Sequence, residues 1–108
     1  MATYTNTSYA AKNVGTSAST LTTVAAATTA AISSLIVSNT TSSPITTSVY
    51  FTRSAVDYYL VSGATIPVGG SLEVIQGNRV VLIAADVLKV VNSAATSGDA
   101  IASVLLAA

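Results

Sequence analysis

The segment ITTSVYFTR, residues 45–53, sorts its side chains onto two sides at every step. Ile45, Thr47, Val49 and Phe51 fall on one side, and Thr46, Ser48, Tyr50 and Thr52 on the other. A period of two belongs to an extended strand with one buried face. Val49 and Phe51 are expected to pack inward, leaving Tyr50 and Thr52 wet. Related strand patterns cover 31–39 (AISSLIVSN), 56–63, 71–76, 79–84, 86–93 and 99–107. They are rich in β-branched residues and separated by turn-forming clusters such as NTTSSP. About seven short strands at this spacing predict an all-β chain, an immunoglobulin-like antiparallel β-sandwich. The last segment, DAIASVLLAA, also suits a short helix capped by Asp99. Strand is preferred, because an all-β chain leaves an edge for a final strand to pair.

The turns follow from the same reading. Ser54-Ala55 joins 45–53 to 56–63 as a hairpin, setting Val49–Arg53 against Tyr58–Val61. Gly77-Asn78 is a two-residue turn candidate between 71–76 and 79–84. The glycine pair in TIPVGGSLEVI resembles the start of a phosphate loop, but a phosphate cradle needs a helix and a lysine after the glycines. Here SLEVI alternates as a strand and no lysine follows, so Pro67 and Gly69-Gly70 read as a tight reversal.

Residues 1–29 differ in composition, being mostly Ala, Thr, Ser and Asn. They read as an N-terminal arm with possible short strands, preceding a sandwich domain at 30–108. Val14, Leu21 and Val24 stand out as isolated apolar positions and are the expected anchors of that arm on a neighbouring subunit.

The chain has 108 residues, enough for a single core, and only 7% are charged, with a formal net charge of zero. Ordinary soluble domains carry roughly 25% charged residues. So little charge, with no net repulsion, favours self-association. Lys12, Arg53, Arg79 and Lys89 are scattered singly, which argues against a nucleic-acid or membrane-surface partner. The longest apolar runs, such as VVLIAA at 80–85, are far below the ~18 residues a membrane-spanning helix needs. No secretory leader is visible, so the chain is expected to be made in the cytoplasm. The sequons at Asn6 and Asn39 accordingly read as chance matches.

Catalysis has little to work with. The sequence contains neither histidine nor cysteine, removing the commonest general base and the commonest metal ligands. Asp57, Glu73, Asp86 and Asp99 are well separated and read as strand-end and turn residues. A nucleophilic serine needs an activating base, and none is placed for it. The expectation is a non-enzymatic protein with no cofactor and no metal. Arg53 and Asp57 flank the hairpin turn and are expected to pair across it. Tyr58 and Tyr59 face opposite sides, so one should pack inward. The other, with Tyr50, either packs across strands at the rim or forms an exposed patch for a sugar ring or partner protein.

Taken in order, LIVSNTTSSPITTSVYFTR, DYYLVSGATIPVGGSLEVI and RVVLIAADVLKVVNSAATSGDAIASVL resemble small virion structural proteins of tailed bacteriophages. That resemblance covers residues ~30 to 105. It departs at Ala85, where the pattern has glycine before Asp86, and at the terminal SVLLAA, which lacks an acidic residue. It implies a compact β-sandwich located in the virion, as a capsid decoration (cement) protein or a neck or tail component. Such a protein homo-oligomerises, as a trimer or larger ring, and binds other phage structural proteins. The competing reading is a host-surface glycan-binding module using Tyr50 and Tyr59.

Overall fold

The computed structural model describes residues 4–75 and 80–107. The described residues are all-β and form nine strands: β1 (Tyr4–Val14), β2 (Ser19–Thr23), β3 (Thr29–Asn39), β4 (Ile45–Arg53), β5 (Val56–Ile66), β6 (Ser71–Glu73), β7 (Val80–Leu82), β8 (Val87–Asn92) and β9 (Gly98–Ala107). The final segment is strand, not helix. Two antiparallel sheets form a sandwich. One has the order β1-β9-β3, with β6 and β7 both on the far side of β3; the other has the order β2-β8-β4-β5.

This order is not the immunoglobulin arrangement expected from strand spacing. In that fold the first and last strands do not pair with one another. Here β1 pairs with β9, β2 with β8, β3 with β6 and β7, and β4 with β5. With β6 and β7 counted as one interrupted edge strand, the pairs nest as first with last, second with next-to-last, and so on to the centre. The chain is one long hairpin folded over itself, which is the jelly-roll topology. Its apex is the turn at Ser54-Ala55, where both residues have positive φ, 53° and 63°. Two such residues form the mirror-image turn whose twist matches a tight hairpin.

The β6–β7 region departs from its expected hairpin. Among the described residues β6 and β7 do not pair with each other; they lie in succession along β3, opposite Ser38–Ile36 and Ile32–Ala30. The turn expected at Gly77-Asn78 lies outside the described residues. At the break, the Val74 N–H donates to the Leu35 carbonyl at 2.8 Å, and the Leu35 N–H donates to a Glu73 carboxylate oxygen at 3.3 Å. The chain therefore satisfies the strand backbone with a side chain where the ladder is missing. The Gly69-Gly70 segment is the expected reversal: Gly69 has φ 69°, and the Gly70 N–H donates to the Pro67 carbonyl at 3.0 Å.

The segment read as an arm is part of the sandwich. Tyr4–Ala11 runs in register against Ala107–Ala100, and β2 forms an edge of the second sheet. Val14, Leu21 and Val24 are buried in the core beside Ile32, Leu35, Leu88 and Val104. They anchor the chain to itself and are not available to a neighbouring subunit. The boundary expected at residue 30 falls inside β3. Apolar signal in β1 is faint because Thr7, Tyr9 and Ala11 are its inward residues, and each is only half-buried.

Candidate interaction surfaces

The pairing registers fix which side chains share each outer face. On the β1-β9-β3 sheet, Leu35, Val37, Ala100, Ala102 and Val104 point into the core, and their neighbours point out. The outward residues line up in rows across the strands. One row is Ala10, Ile101, Ile36 and Glu73; the next is Ser8, Ser103 and Ser34; the next is Asn6, Leu105, Ala31 and Val81. Ile36, Ile101 and Val81 are exposed at 42%, 52% and 52%. Tyr4, Ala107 and Thr29 form the row at one end, and Asp99 and Ser38 lie in the row at the other. Among the described residues, charge on this face is confined to that other end and to the β6 side. Lys12 Nζ lies 3.8 Å from Asp99, and Glu73 is turned onto the Leu35 N–H. A serine row thus separates two apolar rows, with no charge at the centre among the described residues.

Beside Ile101 the same face holds an open hollow of about 260 Å³, lined by Ala10, Ala11, Lys12, Asp99, Ala100 and Ile101. Asp99 is fixed there by the Asn13 N–H, which donates to it at 3.0 Å. A second hollow, about 210 Å³, opens between β1 and β2 against Tyr9, Val24 and Leu106.

The outer face of the β2-β8-β4-β5 sheet is different in kind. It carries Thr46, Ser48, Thr52, Asp57, Val87, Lys89 and Val91 around the tyrosines. Tyr50 does point outward as alternation requires, but it is not wet. Tyr59 lies across it with ring centroids 4.8 Å apart, leaving Tyr50 8% exposed. Burial, then the nearby Asp57 charge and the Tyr59 phenol, push the Tyr50 pKa up. On the inward side of the hairpin, Tyr58 stacks on Phe51 at 5.3 Å, beyond the reach of the opposite sheet. Both Tyr58 and Tyr59 therefore stay exposed, at 48% and 55%, and neither packs into the core as expected. Their opposite orientation leaves Tyr59 as the exposed ring of the Tyr50 pair, without a flat two-ring platform.

Arg53 does not pair with Asp57. Its guanidinium packs over the Phe51 ring and grips Asp86 through Nε at 2.9 Å and Nη2 at 2.6 Å. Asp57 instead accepts the Thr52 hydroxyl at 2.7 Å. Asp86 is buried and also accepts the Ile83 N–H at 2.9 Å. The bonds from Arg53 hold the Asp86 carboxyl below its ordinary value. Burial opposes them and the Ile83 N–H reinforces them. This clasp ties the hairpin to the turn before β8, and no local pattern signals it because the partners are 33 positions apart. The preceding residue, Ala85, has φ 72°, in the left-handed region that favours glycine.

Asn39, one of the two sequons, is buried, and its side-chain amide donates to the Ser43, Ile66 and Pro67 carbonyls at 2.8, 3.2 and 3.2 Å. It ties the β3–β4 loop to the end of β5 and is closed to modification; Asn6 is exposed on β1. Among the described residues no three His, Cys, Asp or Glu side chains gather as a metal site requires. No protein-family model, no curated protein and no solved structure matches the chain.

Proposed function

We propose that the protein is a non-enzymatic structural component of a tailed-phage virion, which self-associates and docks on other virion proteins. The observation that carries this reading is the outer face of the β1-β9-β3 sheet: apolar in two rows and, among the described residues, uncharged at its centre. A face of that kind is suited to protein contact. Two further observations support it. Jelly-roll sandwiches recur among capsid domains, an argument by analogy of fold. Ala85, where the chain departs from the phage pattern, still holds a glycine-like backbone. Capsid decoration and a neck or tail position both fit, and the symmetry of the assembly distinguishes them.

The test is immunogold labelling of purified particles of the phage whose genome encodes the chain. Label on heads assigns a decoration role, and label at the neck or tail assigns a connector role. Particles without label, from a lysate in which the chain is abundant, overturn the virion reading. The lectin reading needs co-facing exposed rings, and the burial of Tyr50 beneath Tyr59 leaves it one.

A further inference from the structure

The outer face of the β1-β9-β3 sheet has an internal symmetry. About the serine row (Ser8, Ser103, Ser34), the Ile101–Ile36 row on one side answers the Leu105–Ala31–Val81 row on the other. At the next step outward on β1, Tyr4 answers Lys12. Tyr4 is 68% exposed, a ring standing free at one end of the face. Lys12 borders the hollow lined by Ala10, Ala11, Asp99, Ala100 and Ile101 at the other end. The face carries a projecting ring and a recess at mirrored positions.

We infer that this face pairs with the same face of a second copy, about a two-fold axis lying along the serine row, with Tyr4 of each copy seated in the other's hollow. The inference deepens the self-association proposed above and rests on that part of the reading. Such an axis lays β1 on β1 and β9 on β9 with strand directions reversed. Serines meet serines, and each Ile101–Ile36 row meets a Leu105–Val81 row. An isologous contact requires this self-complementarity. The ring of Tyr4 then covers apolar Ala10 and Ile101, with Lys12 beside its face and Asp99 in reach of its hydroxyl. A cation against an aromatic face is favourable. Among the described residues no like charges meet, because the Lys12–Asp99 end of one copy faces the Tyr4–Thr29 end of the other.

The strand content argues for the same cover. Sheets with one wet face alternate apolar and polar residues, whereas strands buried on both faces read as near-continuous apolar runs. Leu35-Ile36-Val37 and Ala100-Ile101-Ala102 are runs of the second kind, yet one chain covers only one side of them. Four strands about 4.8 Å apart and rows spanning about 27 Å give roughly 500 Å² per copy, the size class of reversible pairs. The pair is expected to form in the micromolar range.

Because the chain has no cysteine, introduced thiols report geometry without interference. Residues 4 and 12 lie about 27 Å apart along one strand, too far for a disulfide within a chain. A mixture of Tyr4→Cys and Lys12→Cys chains, mildly oxidised, should give a covalent dimer containing one of each. Tyr4→Cys cross-linking to itself with equal yield would indicate an axis along the strands and overturn the arrangement. Independently, sedimentation of the full chain at rising concentration should show a monomer–dimer equilibrium. Ile101→Lys, at an exposed position, should weaken it by about a hundredfold or more with an unchanged thermal midpoint, since it buries an unpaired charge in the contact. An assembled chain that ignores Ile101→Lys and gives no mixed cross-link refutes this pairing and leaves self-association standing. A chain that stays monomeric up to about 500 µM, well above a micromolar dissociation constant, refutes both. Particle labelling then judges the virion reading separately.

Discussion

The two sheets of this sandwich cover one core and differ on their outsides. The β2-β8-β4-β5 sheet presents threonines, Lys89, Asp57 and an exposed Tyr59 lying over Tyr50, as expected of a wet face. The β1-β9-β3 sheet presents isoleucine, leucine, valine, alanine and serine in rows, with charge, among the described residues, only toward its edges. Inward residues are alike in both, so fold stability does not require the difference. On the pairing proposed above, the outer faces answer to different surroundings, water for one and a second copy for the other.

The sharpest way to break this comparison uses adjacent residues on β3. Leu35 is fully buried and Ile36 is exposed. Leu35→Ala should cost about 2–5 kcal/mol in chemical denaturation, from lost transfer energy and the cavity left behind. Ile36→Ala should leave the monomer's stability within about 0.5 kcal/mol while weakening association. Equal losses at both positions would show that the apolar outer face belongs to the fold itself.

Next in size is the Arg53–Asp86 clasp on the inner side of the wet sheet. Because the folded state lowers the Asp86 pKa, its contribution is complete above the ordinary carboxylate range. It is lost as pH falls through the folded value. Thermal midpoints should therefore drop in acid, and Asp86→Asn should lower the midpoint by several degrees at neutral pH and flatten the acid slope. An unchanged acid slope in Asp86→Asn would assign that sensitivity elsewhere. Tyr50 acts in the opposite range: its raised pKa means stability falls as pH rises above the ordinary tyrosine value.

Smaller still is Tyr59→Ala, which removes one ring of a tilted pair and uncovers Tyr50. It should cost about 1 kcal/mol and leave association unchanged. A loss of association there would move the protein-facing surface to the other sheet. The smallest effect is Ala85→Gly, which relieves a left-handed backbone at φ 72° and should raise stability by about 0.5 kcal/mol, read as a shift in denaturation midpoint.

Much of the strand layout was legible locally. The spans 45–53 and 99–107 and the Ser54-Ala55 hairpin follow from alternation and turn chemistry, and the structure places them there within a residue. β1 was not legible, because its inward Thr7, Tyr9 and Ala11 give no apolar period, and its partner β9 lies at the other end of the chain. The jelly-roll order was hidden for the same reason: strand spacing says nothing about which distant strands pair. Tyr50 was placed on the correct side but read as wet, since alternation within one strand does not report its cover, Tyr59, which stands opposite it on β5. Val14, Leu21 and Val24 looked solitary in sequence because their neighbours are contributed by other strands. The apolar outer face was written in Leu35-Ile36-Val37, but only the register shows that Ile36 and Ile101 meet there.

The nested pairing also bears on how the chain is made. Every ladder among the described residues joins a strand before Ser54 to a strand after Ala55. The first half of the chain contains no two strands that pair with each other. As the polypeptide leaves the ribosome at about 5–20 residues per second, β1 to β4 emerge with no native partner. The first ladder available is the apex hairpin. Each later strand then finds its partner already drawn close, so the loop left to close stays short although β1 and β9 are far apart in sequence. The pairing favours folding from the middle of the chain outward, and β1 can complete its ladder only when β9 arrives.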